Sequence, residues 1–447
     1  MPFVHNEKLL GVLHDRYTPA DIAVIRNFIE THDVLTFPQI GETGLFPAAR
    51  CSIHTRYTQY DRIWVRDNIH IANAHRLTGK IDVARSTLKS LFAMFRAQKE
   101  RFRLYISGEV QRKDLSWRPH IRFLTGDGVQ FDFEPWNSQN DALGYFLWFA
   151  CTLILERIYL PEPEDIDLLR TFVSFFGAIS FWSDEDSGHW EEAPKIEASS
   201  IGTVLAGLEK YRLLLNHLNR DGCSDEKQRV ERLCDTARLH LNAILPAECI
   251  QIDKRRDFDA ALLFLIFPLG LLDGETAGRI VGRVESNLKG DYGVRRYIGD
   301  RFWGPDYDDI VPLDRWTVDT TRHPGTRKRL VAVTPGVDEA QWCIFDPLLS
   351  VIYGLWSRTA LSDRQPLLQK QIHYFNRAMG QITGPEAREN AYRCPELYYM
   401  KKGRYTHNAA TPLLWTQANL LVALKILEEN VAEYAVRALK NEIFDGS

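Results

Sequence analysis

The chain has 447 residues, 45% of them hydrophobic and 26% charged, enough for two or three domains or for one large closed architecture with an ample core. Its formal net charge is -4, from 55 basic and 59 acidic residues. No basic excess is left to neutralise phosphates, which argues against nucleic acid as the main partner. Seven cysteines (Cys51, Cys151, Cys223, Cys234, Cys249, Cys343 and Cys394) form no C-x-x-C pair. Their odd number and scattered spacing predict reduced, cytosolic usage without a disulfide frame or a zinc site. The opening MPFVHNEKLLGVLH has no basic-then-apolar leader pattern, and the apolar run 260–272 is too short for a bilayer, so a cytoplasmic protein with no membrane partner is expected.

In chain order, an amphipathic helix is predicted over 21–29, followed by a Pro- and Gly-rich loop over 37–55. A helical pattern over 63–77 follows Tyr60-Asp61-Arg62. A second spans 80–99, with Ala84, Leu88, Leu91, Phe92 and Phe95 on one face. Residues 104–136 read as irregular, with a turn signal at Asp127-Gly128. Strongly apolar helices are expected over 141–159 and 164–182, the latter started by a proline pair. Helical pairs follow at 200–218 with 225–244, 257–267 with 274–288, and 341–355 with 365–379. Helices 411–426 and 430–443 close the chain, and 289–335 and 381–409 read as long non-helical segments. Long loops in a compact domain carry function or close over a site. There is no βαβ alternation, no internal repeat and no linker of low complexity. One mainly helical domain over 1–447 is expected, its paired helices suiting an α/α toroid with the loops gathered at one end.

The stretch 186–202, DSGHWEEAPKIEASSIG, carries the strongest chemistry. Trp190-Glu191-Glu192 lies between the turn Asp186-Ser187-Gly188 and a helix that Ser199 and Ser200 are expected to cap. Adjacent carboxylates beside an indole are half of what a glycosidase needs: one acid is kept protonated against the apolar ring while its neighbour binds a sugar hydroxyl. The same letters also describe a solvated acidic loop. His189 beside them reads as structural.

Four motifs, in order, resemble the glucoamylase family (glycoside hydrolase family 15) and the related region of phosphorylase kinase regulatory subunits. Trp64-Val65-Arg66-Asp67 is similar to the family's W-x-R-D, and Gln139-Asn140-Asp141-Ala142 to its Q-x-D-A. The third, Asp186-x-Gly188-x-Trp190-Glu191-Glu192, matches D-x-G-x-W-E. The fourth is Arg393-Cys394-Pro395-Glu396, followed by Thr411-Pro412-Leu413-Leu414-Trp415-Thr416-Gln417-Ala418. The resemblance covers most of the chain and implies an all-α (α/α)6 barrel whose site is built from helix-connecting loops at its mouth. It looks like a catalytic domain alone.

By that resemblance, Glu191 is the general acid and Glu396 the general base of an inverting, exo-acting α-glucosidase. Its partner is an oligosaccharide or polysaccharide, and no metal or cofactor is called for. A general acid must arrive protonated near neutral pH, and Trp190 and Glu192 are placed to raise the pKa of Glu191. The letters around Glu396 depart from the family's S-E-Q, which leaves Glu386 and Glu389 as alternatives for the base. Arg66 and Asp67 are a pair suited to adjacent sugar hydroxyls. Trp64 and Trp415 are candidate stacking platforms, with a core role as the alternative, and Trp190 is a further expected substrate contact. Asp141 either binds sugar or caps its helix. Glu192 and Arg296, the latter in the 289–335 insert, complete the expected sugar contacts. A reading of a different class is a non-hydrolytic carbohydrate-binding regulatory or scaffold protein, as in the kinase subunits.

Overall fold

The computed structural model describes residues 4–50, 58–124, 130–131, 138–218, 224–316, 320–321, 324–360 and 363–445. The Asp127-Gly128 turn, Cys51 and Cys223 lie outside these residues. The other five cysteines are buried and free. The principal helices are α1 (Pro19–Thr31), α2 (Val65–Leu77), α3 (Ile81–Arg96), α4 (Lys99–Ser107), α5 (Asn140–Leu155) and α6 (Pro163–Ile179). They continue as α7 (Ala198–His217), α8 (Ser224–Ile244), α9 (Gly274–Asn287), α10 (Phe345–Thr359), α11 (Arg364–Gly380) and α12 (Leu414–Asp445). Among the described residues, no helix is long and apolar enough to cross a membrane.

The helices sort into two rings by how they are buried. In α2, α5 and α7 consecutive residues are buried on every side, as in Val65 through His75 or Asn140 through Ile154. A helix that is covered all round belongs to a core. These three, a 3-10 turn at Ala260–Leu265, α10 and the first part of α12 contact one another in sequence order. The ring closes where α12 meets α2. The outer helices are amphipathic and bury one stripe. In α3 that stripe is Ala84, Leu88, Leu91, Phe92 and Phe95. Phe92 and Phe95 meet Phe146 of α5 at 5.3 and 4.5 Å, and Phe95 meets Phe172 of α6 at 5.0 Å. Each fully buried Leu or Phe contributes about 1.5–3 kcal/mol. Truncating Phe146 to Ala, which touches both layers, costs about 3–5 kcal/mol. The result is an (α/α)6 barrel.

Close approach of the inner helices depends on glycine. A Cβ on Gly144 of α5 would lie 2.7 Å from the Val204 nitrogen of α7, and one on Gly207 would lie 2.9 Å from the Gly144 oxygen. The first turns of α5 and α7, both of which reach the site, are therefore held in fixed register.

Several local expectations are corrected. A distinct helix, α4, occupies part of the stretch read as irregular. The segment 257–267 forms only the 3-10 turn, capped by Asp259, whose side chain accepts from the Ala261 N–H. Pro268 follows directly and disfavours helical continuation before it. The predicted break between 411–426 and 430–443 does not exist, because α12 runs through both. Asn430 at that point is buried, and its Nδ2 donates to the Gly354 oxygen and to Gln371 Oε1. Within the expected loop 381–409, strand β5 (Leu397–Lys401) pairs with β6 (Arg404–His407) and with β4 (Gln341–Trp342). Helix α10 accordingly starts after β4. At the other side of the barrel mouth, β1 (Ile63–Trp64) pairs with β2 (Arg122–Leu124), which pairs with β3 (Gln130–Phe131). Among its described residues the 289–335 insert holds two short α-helices, Tyr307–Ile310 and Pro324–Arg329, and a 3-10 turn at Leu313–Arg315.

Candidate active site

The first turns of the inner helices deliver the polar groups. Arg66 and Asp67 open α2, Asp141 opens α5, and Ser199 and Ser200 open α7. The loop before α7 is closed by paired backbone bonds between Asp186 and Lys195, 3.0 and 3.1 Å long. It turns at Gly188, φ +53°, where a Cβ would collide with the Glu197 carboxylate. Ser199 and Ser200 do not cap α7 as expected. The N-cap position is Glu197, and Ser199 is the second residue of the helix. Its N–H and hydroxyl both donate to Glu248, while the Ser200 hydroxyl donates to Asp186 Oδ2 at 3.0 Å. A buried helix end thus finds its acceptor on a distant segment instead of on its own cap.

Glu191 sits at the tip of this loop with φ +58°, a left-handed conformation that a non-glycine residue holds only where its surroundings enforce it. Its Oε1 accepts from Arg66 Nη2 at 3.1 Å, and its side chain is 31% exposed. Burial pushes its pKa up to about 7, against the pull of Arg66 and Arg122 and with the help of Asp67 and Asp141. The expected contribution of Glu192 is corrected. The left-handed turn at residue 191 sends the two neighbouring carboxylates apart. Glu192 accepts from Arg256 Nη2 at 2.7 Å, from Arg296 Nη2 at 3.5 Å and from the Tyr297 hydroxyl, with Lys195 Nζ at 3.6 Å. Those cations hold it ionised, with a pKa of about 2 despite its burial.

Arg66 binds three acceptors. Its Nη1 donates to Gln139 Oε1 at 3.0 Å and to Asp141 Oδ2 at 2.8 Å, and its Nη2 reaches Glu191. Asp141 is 0% exposed and pairs with Arg66 instead of capping α5, whose N-cap is Gln139. Asp67 lies beside them, its pKa pushed up to about 6 by burial.

Glu396 immediately precedes β5, where the Cys343 N–H donates to the Glu396 carbonyl at 2.8 Å. It is 2% exposed. Its Oε1 accepts from the Tyr60 hydroxyl at 2.6 Å and its Oε2 from Asn408 Nδ2 at 2.5 Å. Burial raises its pKa to about 7, against both hydrogen bonds. Tyr60 feels the charges of Glu396, Glu191 and Asp67, and Asp67 acts on both glutamates, so these groups share one neighbourhood. The alternatives Glu386 and Glu389 are exposed on the turn Pro385–Asn390.

The aromatic candidates are largely covered. Trp64 is buried, with the Arg122 guanidinium 4.9 Å over its ring, as their facing positions on β1 and β2 require. Trp415 is buried against His70 at 4.4 Å and Phe264 at 5.1 Å. The Trp190 indole N–H donates to both Asp259 oxygens, at 2.9 and 3.1 Å. Arg296 is bound by Asp300 through two bonds, 2.7 and 2.9 Å, and lies over Trp190, Trp342 and Phe302. His189 is buried between Tyr145 and Ser199, and burial lowers its pKa to about 4, so it stays neutral. Sequence reasoning missed Asn408, Arg122, Arg256 and Asp259 and gave Tyr60 no role. None lies in a motif that marks it. Among the described residues no cluster of His, Cys, Asp and Glu is arranged to hold a metal ion.

The fold is that of glycosidases and glucoamylases. The chain matches a point variant of a solved glycosidase with a TM-score of 0.63 at 16% identity, over 92% of this chain and 99% of that one. It matches the glucoamylase from Saccharomycopsis fibuligera with a TM-score of 0.57 at 11% identity, over 94% and 97%. A bacterial glucoamylase complexed with acarbose gives 0.54 at 15% identity, over 87% of this chain and 53% of that one. No protein-family model matches the sequence, and no curated protein does.

Proposed function

We propose that this chain is a glycoside hydrolase that releases glucose from the non-reducing end of α-glucosides with inversion, Glu191 acting as general acid and Glu396 as general base. The observation that carries the reading is the pair of environments around these two carboxylates. Both are raised to about 7, yet only Glu191 has a third of its side chain open to solvent, while Glu396 accepts two hydrogen bonds that favour its ionised form. Divergent surroundings for two carboxyl groups are how one site runs acid and base chemistry together.

In the proposed step, the Glu191 carboxyl proton passes to the glycosidic oxygen as its bond to the anomeric carbon breaks. Water attacks that carbon from the opposite face and gives a proton to Glu396. Inversion calls for carboxyl groups about 6.5 to 9.5 Å apart, leaving room for the water. Arg66 and Asp67 would meet hydroxyls of the terminal glucose, with Glu192 and Arg296 as further sugar contacts. The two layers of helices together draw on elements from α1 to α12, which supports treating 1–447 as one catalytic domain.

Maltose, isomaltose, trehalose and soluble starch should be incubated with the protein and followed by proton NMR before mutarotation. The glucose cut from the non-reducing end should appear first as β-glucose, and trehalose, with both units α-linked, should give one β- and one α-glucose. A non-reducing unit released first as α-glucose would overturn the pairing of Glu191 with Glu396. No glucose from any of the four would favour the binding-protein reading.

A further inference from the structure

Glu191 holds a backbone conformation that disfavours any residue with a side chain, at the point where the proposed chemistry needs an acid fixed in space. Two backbone bonds inside the motif close the turn, from the Glu191 N–H to the Gly188 oxygen at 3.3 Å and from the Glu192 N–H to the Ser187 oxygen at 3.1 Å, and side chains on both neighbours of Glu191 then tie that turn to a distant segment. Residue 190, on one side, is tied by its indole N–H to both oxygens of Asp259. Residue 192, on the other side, is tied by its Oε2 to Arg256 Nη2 at 2.7 Å. The two anchors are themselves joined, Arg256 Nη1 donating to Asp259 Oδ2 at 3.2 Å. Trp190, Asp259, Arg256 and Glu192 therefore form a closed circuit of side-chain bonds that begins and ends on the two neighbours of Glu191.

We propose that Arg256 and Asp259 are positioning residues that clamp both neighbours of Glu191 and so hold the catalytic acid in its left-handed conformation. The clamp is rigid at its far end. Asp259 also accepts from the Ala261 N–H at 2.8 Å, and its backbone bridges to Tyr297. Arg256 bridges to Cys249 and lies 3.4 Å over the Tyr297 ring. Both anchors stand on the segment entering the inner 3-10 turn, so the acid is referenced to the barrel wall. A side chain held by groups that are themselves locked is what preorganised catalysis requires.

The proposal rests on Glu191 being the general acid, and its test separates the two claims. Asp259→Asn, Trp190→Phe and the double variant should be compared with wild type for kcat/KM across pH. Each single variant should lose about tenfold to a hundredfold in kcat/KM. The double variant should be no worse than Asp259→Asn alone, because the tie that Trp190→Phe removes is already disturbed there. The alkaline limb should also move to lower pH by about half a unit or more, as Glu191 gains water. The groups facing Glu191 that set this limb are Arg66 and Asp67 from α2, Arg122 from β2 and Asp141 from α5, and the variants leave all four in place. Losses that add in the double variant, or an unmoved limb, would overturn the clamp. If Asp259→Asn fails to fold, the limb of Trp190→Phe decides alone.

A readout independent of activity is exchange of the Trp190 indole proton, assigned by its loss in Trp190→Phe. It should be slow in wild type and faster in Asp259→Asn. Unchanged exchange would overturn the anchor. Wild-type turnover in Glu191→Gln, with the indole still protected, would remove the acid assignment and leave the circuit as a purely structural tie.

Discussion

The Tyr60 hydroxyl donates to Glu396 Oε1 at 2.6 Å, and this bond opposes the burial around the carboxylate. Tyr60 comes from the segment before α2 and Glu396 from the start of β5, so the contact joins the two sides of the barrel mouth. Burial and the neighbouring carboxylate push the Tyr60 phenol well above its ordinary pKa, so it remains a donor across the neutral range.

Tyr60→Phe removes one of the two bonds that favour ionised Glu396. The pKa of Glu396 then rises, and the acid limb of kcat/KM moves to higher pH. A hydrogen bond to a charged group contributes about 1.5–3 kcal/mol, so the rate at neutral pH should fall by about one to two orders of magnitude. A pH–rate profile with an unmoved acid limb would show that Tyr60 does not govern the base.

Wild type should show a narrow bell in kcat/KM centred near pH 7. Glu396, raised to about 7, must have lost its proton, so activity falls as pH drops through that value. Glu191, also raised to about 7, must keep its proton, so activity falls as pH rises through it. The two apparent values belong to the pair. A flat plateau reaching down to pH 4 would contradict the environment described for Glu396.

Glu191→Gln should abolish hydrolysis while sparing glucose binding, because an amide cannot donate the proton that the leaving oxygen needs. It should also change stability in a pH-dependent way. The folded pKa of Glu191 lies above its ordinary value of 4.5. Above about 7 the residue is ionised in both states and the folded state bears the burial penalty. Below 4.5 it is neutral in both and the penalty vanishes. The variant should therefore gain in Tm at pH 8 relative to wild type and match it at pH 4. Thermal melts at the two pH values check the sign.

Arg66→Ala leaves Asp141 ionised and without its cation at 0% exposure. Breaking one side of a buried pair costs about 3–5 kcal/mol, so a clear drop in Tm is expected. Arg66 also lowers the pKa of Glu191. In protein that still folds, the alkaline limb should move to higher pH, the opposite direction to the clamp variants. Arg66→Lys should rescue poorly, since an ammonium cannot reproduce the planar fork that spans Gln139, Asp141 and Glu191. Normal stability in Arg66→Ala would show that Asp141 is neutral or finds another donor.

Much of the helical framework was written in local periodicity. The stripe on α3 could be read from spacing alone, because an outer helix has one buried face and its apolar residues must recur every three or four positions. The unbroken apolar run of α5 was legible as a strongly apolar helix, and its burial on every side in the structure places it in the inner ring. The sequence by itself also marked the residues that the first turns of α2 and α5 and the 186–195 loop bring to one end of the barrel. What it could not decide was where each side chain goes and what surrounds it. Glu191 and Glu192 are adjacent letters, yet one faces Arg66 with a pKa near 7 and the other faces Arg256 with a pKa near 2. Trp64 and Trp415 read as platforms and Trp190 as the apolar ring beside the acid, yet each is covered by a partner from another segment. Pairing of β5 with β4 and β6, and the use of Tyr60, Asn408, Arg256 and Asp259, have no local signature. A pKa depends on burial and on charges within a few ångströms, and those charges arrive from segments far apart in the chain. Only the closed ring of helices brings them together.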